Sequence, residues 1–189
     1  MKKIFVMLTV ALIGLSAMAQ PRFGLKVGFD LTNLWGKDIK HGVRPNYQVG
    51  ALMEYKFNDR IGISPEVVFA SQGGKFDILG VKTKYTLNYI NVPVLLKFYA
   101  TEDFSIDFGP QVGFNVYSHL ITETAGVKLN TNIKDDVKTV DFGLGLGATY
   151  NLTENAFVQA RYTLGLTKVF KGGSDVKNGN IQIAFGWKF

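Results

Sequence analysis

The chain has 189 residues, of which 47% are hydrophobic, 13% aromatic and 19% charged, with 21 glycines, no cysteine and a formal charge of +6. Its mean hydropathy is only +0.10. These values exclude a disordered chain, a disulfide framework, a thiolate metal site and a lipid-anchoring cysteine. Beyond residue 20 they also exclude a membrane-spanning helix, which needs ~18 consecutive apolar residues. They do not exclude a membrane β-barrel, which leaves no such signal.

Met1-Lys2-Lys3 opens a short basic region, Ile4 to Leu15 is mostly apolar, and Ala17-Met18-Ala19 is an A-x-A site followed by Gln20. The apolar run is too short to span a bilayer, and the three parts together read as a secretory signal peptide over 1–19. The mature domain is then 20–189. Losing Lys2 and Lys3 lowers its net charge to +4. No run of Lys or Arg stands out along the chain, so nucleic acid is not an expected partner.

The mature chain alternates with period two from end to end, the signature of half-buried strands. Strand one carries Phe23, Leu25, Val27, Phe29 and Leu31 on one phase. Strand two carries Tyr47, Val49, Ala51, Met53, Tyr55 and Phe57, and strand three Ile61, Ile63, Val67 and Phe69. Strand four, about 82–99, changes phase: Tyr85, Leu87 and Tyr89 share one, and Ile90, Val92, Val94, Leu96 and Phe98 the other. A one-residue slip flips every side chain, so a β-bulge is expected near Tyr89–Ile90. Strand five runs from Phe104 to Val116, six from Val140 to Tyr150, seven from Val158 to Leu166, and eight from Ile181 to Phe189. Pro65, Pro93 and Pro110 fall inside strands and lack an N–H, so local ladder breaks are expected there. No segment holds a 3.6-residue period, so no helix is expected in the mature chain.

The connections alternate between long and short. Thr32–Pro45, Gly73–Gly80, His119–Lys138 (the longest) and Lys171–Asn178 are long. Asn58-Asp59, Ala100–Asp103 and Thr153–Asn155 are short. An outer-membrane barrel has this rhythm, with an even strand number, short periplasmic turns and longer external loops. The expected fold is therefore an all-β, eight-stranded antiparallel up-and-down transmembrane barrel with both termini periplasmic. Spans of ~9–11 residues use roughly 90 of the 170 mature residues.

Alternation alone does not say which face points outward, and a soluble lipid-binding barrel in the periplasm would invert the arrangement. Three features favour the membrane. One face of every strand is large, apolar and free of charge. The other is small and polar, with many glycines, and suits the cramped interior of an eight-stranded barrel. Aromatics sit near strand ends, among them Tyr47, Tyr55, Phe57, Tyr85, Phe98, Tyr99, Tyr150 and Trp187, as interfacial girdles do. Outer-membrane lipid is then the expected surrounding partner. The final strand bears Phe185, Trp187 and Phe189 on its apolar face and ends in Phe. That ending resembles the signal read by the bacterial barrel-assembly machinery.

Four stretches carry a family likeness. Tyr89-Ile90-Asn91-Val92-Pro93-Val94-Leu95-Leu96-Lys97 is similar to a Y-x-x-(I/V)-P-(V/L)-L-L-K strand, and Phe108-Gly109-Pro110-Gln111-Val112-Gly113 to a G-P-x-x-G strand. Asp141-Phe142-Gly143 and Arg161-Tyr162-Thr163-Leu164-Gly165-Leu166 are similar to D-F-G and R-Y-x-x-G-L strands. Together they resemble the small outer-membrane β-barrel family of Bacteroidetes labelled PorT-like. The resemblance implies fold and location, and no single activity.

The inward phase carries Lys26, Asp30, Glu54, Lys56, Glu66, Lys97, Asp107, Asp141, Arg161 and Lys188. Buried charges must pair, so an interior network is expected among Arg161, Asp141, Asp107, Glu54, Glu66, Lys26 and Lys97. Arg161 is its expected hub, bridging Asp141 and Asp107 or Glu54 through its planar fork of donors. The alternative is a narrow polar passage for ions or small molecules. Gly143-x-Gly145-x-Gly147 is not a nucleotide loop, because the spacing is wrong and no helix follows. His41 and His119 are isolated, and Asp135-Asp136 lacks a calcium-loop pattern. No catalytic residues, metal ligands or cofactors are expected. The reading is a non-enzymatic barrel that presents external loops, 119–138 above all.

Overall fold

The computed structural model describes residues 21–36, 43–78, 81–124, 127–172 and 176–189. The signal-peptide reading of 1–19 and the reading of His41 lie outside the described residues. The described strands are β1 (Arg22–Gly36), β2 (Arg44–Lys56), β3 (Ile61–Gln72), β4 (Lys75–Ile78), β5 (Val81–Tyr99), β6 (Phe104–Thr124), β7 (Val127–Asn132), β8 (Val140–Asn151), β9 (Ala156–Gly165) and β10 (Val176–Lys188). All pairings are antiparallel. Around the ring the order is β5-β3-β2-β1-β10-β9-β8-β6, and the β5–β6 pairing closes it. The result is a closed eight-stranded barrel. Strands β4 and β7 are extra arms, paired to the far ends of β5 and β6.

Three turns at one end of the barrel share a device. Asn58 Oδ1 accepts from Ile61 N, Thr101 Oγ1 from Phe104 N, and Thr153 Oγ1 from Ala156 N. A short polar side chain thus closes each turn onto the backbone three residues later. Both described chain ends lie here, where Phe189 N donates to Phe23 O. This is called the turn end, and the opposite one the loop end.

The alternation resolves into an apolar outside and a polar inside. Phe29 is 75% exposed, and Leu25, Val27, Val67, Leu146, Ile183 and Trp187 are also exposed. Lys26, Asp30, Glu66, Asp107, Arg161 and Lys188, all inward, are 3% exposed or less. Expected girdle residues Tyr47, Phe57, Phe98, Tyr150 and Trp187 are exposed on the outer wall. Tyr55, Tyr85 and Tyr99 are not girdle residues. Tyr55 is buried edge-on to Phe57. Tyr85 and Tyr99 share the inward phase of β5 with Leu87 and Tyr89.

The ladders open where the prolines sit. Pairing lapses for two residues between Leu52↔Glu66 and Tyr55↔Ile63, between Pro65↔Val94 and Val68↔Asn91, and between Pro93↔Gln111 and Leu96↔Phe108. Each register resumes unchanged, as expected where an N–H is missing rather than a residue inserted. In the last gap the Val94 carbonyl crowds Gly109, where an added Cβ would lie 2.0 Å from its oxygen. Only a residue without a side chain fits that approach.

A bulge exists at the expected height, with the register shifting at Asn88/Tyr89. The extra residue is Val116 of β6, opposite that step, and not a residue of β5. Leu87, Tyr89 and Asn91 all point inward along an unbroken phase. The apparent phase change in β5 therefore has another cause: its upper inward residues are apolar because they meet an apolar cluster inside the barrel.

Candidate functional site

The lumen divides into two layers. Toward the turn end it is a continuous chain of charges. Lys188 Nζ lies 3.1 Å from Glu54 Oε1, Lys97 Nζ 3.6 Å from Glu54 Oε2, and Lys97 Nζ 3.1 Å from Asp107 Oδ1. Asp107 also accepts from Ser105 Oγ at 2.8 Å and from Thr149 Oγ1. Gln159 Nε2 donates to Asp107 Oδ2 at 3.3 Å, while its Oε1 accepts from Lys26 Nζ at 3.0 Å and Arg161 Nη2 at 2.9 Å. Lys26 Nζ donates to Glu66 Oε2 at 2.6 Å. Arg161 grips both oxygens of Glu66, at 3.0 and 2.7 Å.

The chain runs across the lumen and not along one wall. β3 and β9 stand four places apart in the ring of eight. The Arg161–Glu66 clamp therefore joins opposite walls. Four cations (Lys26, Lys97, Arg161, Lys188) meet three carboxylates (Glu54, Glu66, Asp107). Buried charge is tolerated only when paired and hydrogen-bonded in this way. Asp30 stands outside this chain: it is buried in the field of Lys26 and Arg161, and neither of its carboxylate oxygens is hydrogen-bonded.

Six of the seven residues singled out from the sequence meet in this chain: Arg161, Glu66, Lys26, Lys97, Asp107 and Glu54. The expected partners of Arg161 do not hold. Its guanidinium meets Glu66 and Gln159, and neither Asp141, Asp107 nor Glu54. Asp141 lies apart, accepting from Asn178 Nδ2 at 2.9 Å and from Thr167 Oγ1. It pins the chain segment that follows β9. Gln159, which joins the two groups of charges, was missed. Its signal was its place, two residues before Arg161 on the same inward phase.

Beyond a belt of buried neutral polar side chains, Gln48, Asn91, Thr163, Asn180 and Gln182 among them, an apolar cluster fills the lumen toward the loop end. Leu34, Leu87, Tyr89, Ile133, Val137, Val169 and Val176 form a buried cluster, with Tyr85, Leu120 and Phe170 packed against it. Two segments fold in to build it. Residues 133–139 are tied down by Ile133 N to Ser118 O and by Asn115 N to Thr139 O. Residues 166–172 are tied by Lys138 N to Val169 O, Lys171 N to Asp136 O and a bridge from Val137 to Phe170. The 119–138 stretch is therefore not an open loop. It continues β6 to Thr124, returns as β7, and ends by placing Ile133 and Val137 in the barrel mouth. His119 stacks on Tyr117 with ring centroids 4.2 Å apart, and its Nδ1 lies 2.6 Å from Asn130 Oδ1.

A closed eight-stranded barrel with an apolar wall, a lumen lined by polar and charged side chains and short turns at one end has the build of an outer-membrane barrel. Residues 18–171 match the model of the outer membrane protein beta-barrel domain, and the chain belongs to that family. Among solved structures it is similar to the attachment invasion locus protein Ail of Yersinia pestis. The identity is 15% and the TM-score 0.58, over 90% of this chain and 99% of that one. It is similar also to the neisserial surface protein NspA, at 15% identity and TM-score 0.56, over 88% and 97%. At that identity the likeness bears on fold alone. No curated protein sequence matches the chain.

Proposed function

We propose that this outer-membrane protein is a sealed anchor: a non-conducting, non-enzymatic barrel that holds a folded loop-end surface outside the cell. The carrying observation is the Arg161–Glu66 clamp between opposite walls, with the apolar cluster stacked above it. A passage needs a continuous hydrated path, and here a paired charge layer and an apolar cluster lie in series. The pore reading loses its support at both.

Export by residues 1–19, periplasmic termini and delivery through the assembly machinery by Phe185, Trp187 and Phe189 belong to the same reading. Phe185 and Trp187 share the outward phase of β10 at the turn end, and Phe189, one residue past the strand, is exposed beside them. The four motif stretches further support a place in the PorT-like branch of Bacteroidetes. The apolar outer wall disfavours a soluble periplasmic carrier, which would have to dissolve Phe29, Ile183 and Trp187 in water.

The native chain has no cysteine, so single cysteines report orientation cleanly. Thr131→Cys lies on the loop-end arm and Glu102→Cys in a turn, both exposed. On intact cells a membrane-impermeant maleimide is expected to label Thr131→Cys and spare Glu102→Cys. The reverse pattern overturns the reading, as does recovery of the protein in the soluble fraction.

A further inference from the structure

The apolar belt on β5 ends at Ile90, and the outward phase then runs Asn88, Thr86, Lys84 toward the loop end. Lys84 pairs directly across the ladder with Lys75 of β4. Both are exposed, and neither makes an ion pair among the described residues. Like charges directly opposite each other destabilise a sheet.

Arg44 reaches the same place from β2, donating to Tyr85 O at 2.7 Å and Thr86 Oγ1 at 3.0 Å, which fixes its guanidinium. Lys84 lies above the membrane-spanning belt. Repulsion from Arg44 above all, with partial burial, Lys75 and Lys128, holds its ammonium below the usual lysine range.

The next row outward is different. There Asp77, Lys82, Glu123 and Lys128 are register partners of alternating sign, and Lys128 sits 3.8 Å from Glu123. In the row nearer the bilayer, by contrast, the register places two like charges, Lys75 and Lys84, opposite each other. That row continues across β6 and β7 through Ile121 to Asn130. Below it lie His119 and Asn132, with Tyr117 exposed and stacked on His119.

We propose that Arg44, Lys75 and Lys84 receive a phosphate on the headgroup of a phosphorylated glycolipid in the leaflet around the loop end. Height selects the occupant: the cations sit just above the last lipid-facing residues, at the level where headgroup phosphates lie. Chemistry selects the sugar. Amides of Asn130 and Asn132 beside a flat Tyr117–His119 stack suit a ring bearing hydroxyls. A doubly charged phosphate bridging Lys75 and Lys84 relieves the repulsion that the bare sheet carries. The inference rests on the orientation proposed above.

The test uses the full mature chain in nanodiscs of phosphatidylcholine doped with lipid A, or with phosphatidylglycerol, and retained lipid is counted by native mass spectrometry. Wild type is expected to retain lipid A in preference to phosphatidylglycerol, with inorganic phosphate failing to displace it. Lys75→Gln/Lys84→Gln should lower lipid A retention about tenfold, because each lost surface cation weakens attraction to an anionic leaflet. Lys138→Gln/Lys171→Gln removes the same charge elsewhere at the loop end and should leave retention unchanged.

Equal retention by the two double variants overturns the site. Equal retention of phosphatidylglycerol overturns the sugar, and displacement by inorganic phosphate makes the source a free anion. Each variant is first run boiled and unboiled on a gel, so that only closed barrels are compared. If the cysteine labelling reverses, the orientation fails. If labelling holds and lipid selectivity is absent, only this inference fails.

Discussion

The two layers of the lumen close the barrel by opposite physics. The turn-end layer is a chain of ion pairs in which each member depends on its neighbours. The loop-end layer is a small apolar cluster contributed by β1, β5, β10 and two returning segments. An ion-pair layer fixes which residues meet, and it contributes little net stability over an apolar filling. An apolar layer contributes stability by burial and tolerates size changes gradually. Breaking one member should therefore be abrupt below and graded above.

The largest effect is expected at the centre of the charged layer. Glu66→Ala leaves Arg161 and Lys26 buried without their shared carboxylate, which costs about 3–5 kcal/mol. Urea unfolding in detergent, read as the boiled/unboiled gel shift, checks it. Replacing Glu66 and Arg161 together by Leu and Met should cost less than Glu66→Ala alone, because only Lys26 is then left buried without its carboxylate. Equal losses would show that the two residues do not act as a pair.

In the apolar layer Leu34, wholly buried, touches Gly74 and the returning segments. Leu34→Ala should cost about 2–4 kcal/mol by the same assay, with the charged layer unaffected. A loss equal to that of Glu66→Ala would erase the contrast between the layers.

The wall offers a smaller contrast. Gly109→Ala drives a Cβ into the Val94 carbonyl, whereas at Gly145 the nearest atom, Arg161 Cδ, lies 3.4 Å away on a flexible side chain. Gly109→Ala is expected to lose about 1–3 kcal/mol, and Gly145→Ala very little, measured side by side. The smallest effect belongs to the exposed Lys128–Glu123 pair. Lys128→Gln should move the unfolding midpoint by no more than about 0.5 kcal/mol.

Much of this architecture was legible in the chain. Period two gave eight strands, the loop rhythm gave two unlike ends, and the small inward phase marked Lys26, Glu66 and Arg161 as lumen residues. Three things were not legible, each for a physical reason. Period two assigns a side chain to a face and says nothing about what lies across the lumen. Arg161 thus finds Glu66 from the opposite wall, a partner set by strand tilt and stagger. Period two also reads any apolar phase as lipid-facing. Leu87 and Tyr89 break that rule, because the 133–139 and 166–172 segments return to cover them. The basic row escaped for a similar reason. Lys75 and Lys84 meet only through the register of the β4–β5 hairpin, and Arg44, about thirty residues earlier on β2, joins them only through its hydrogen bonds to Tyr85 and Thr86.

The most direct measurement is the conductance of the purified barrel in a planar lipid bilayer. Two barriers in series predict no stable current steps for wild type, and none for Glu66→Leu/Arg161→Met, whose apolar layer remains intact. Reproducible ohmic steps from folded wild-type protein, verified by its unboiled gel mobility, would contradict the sealed lumen.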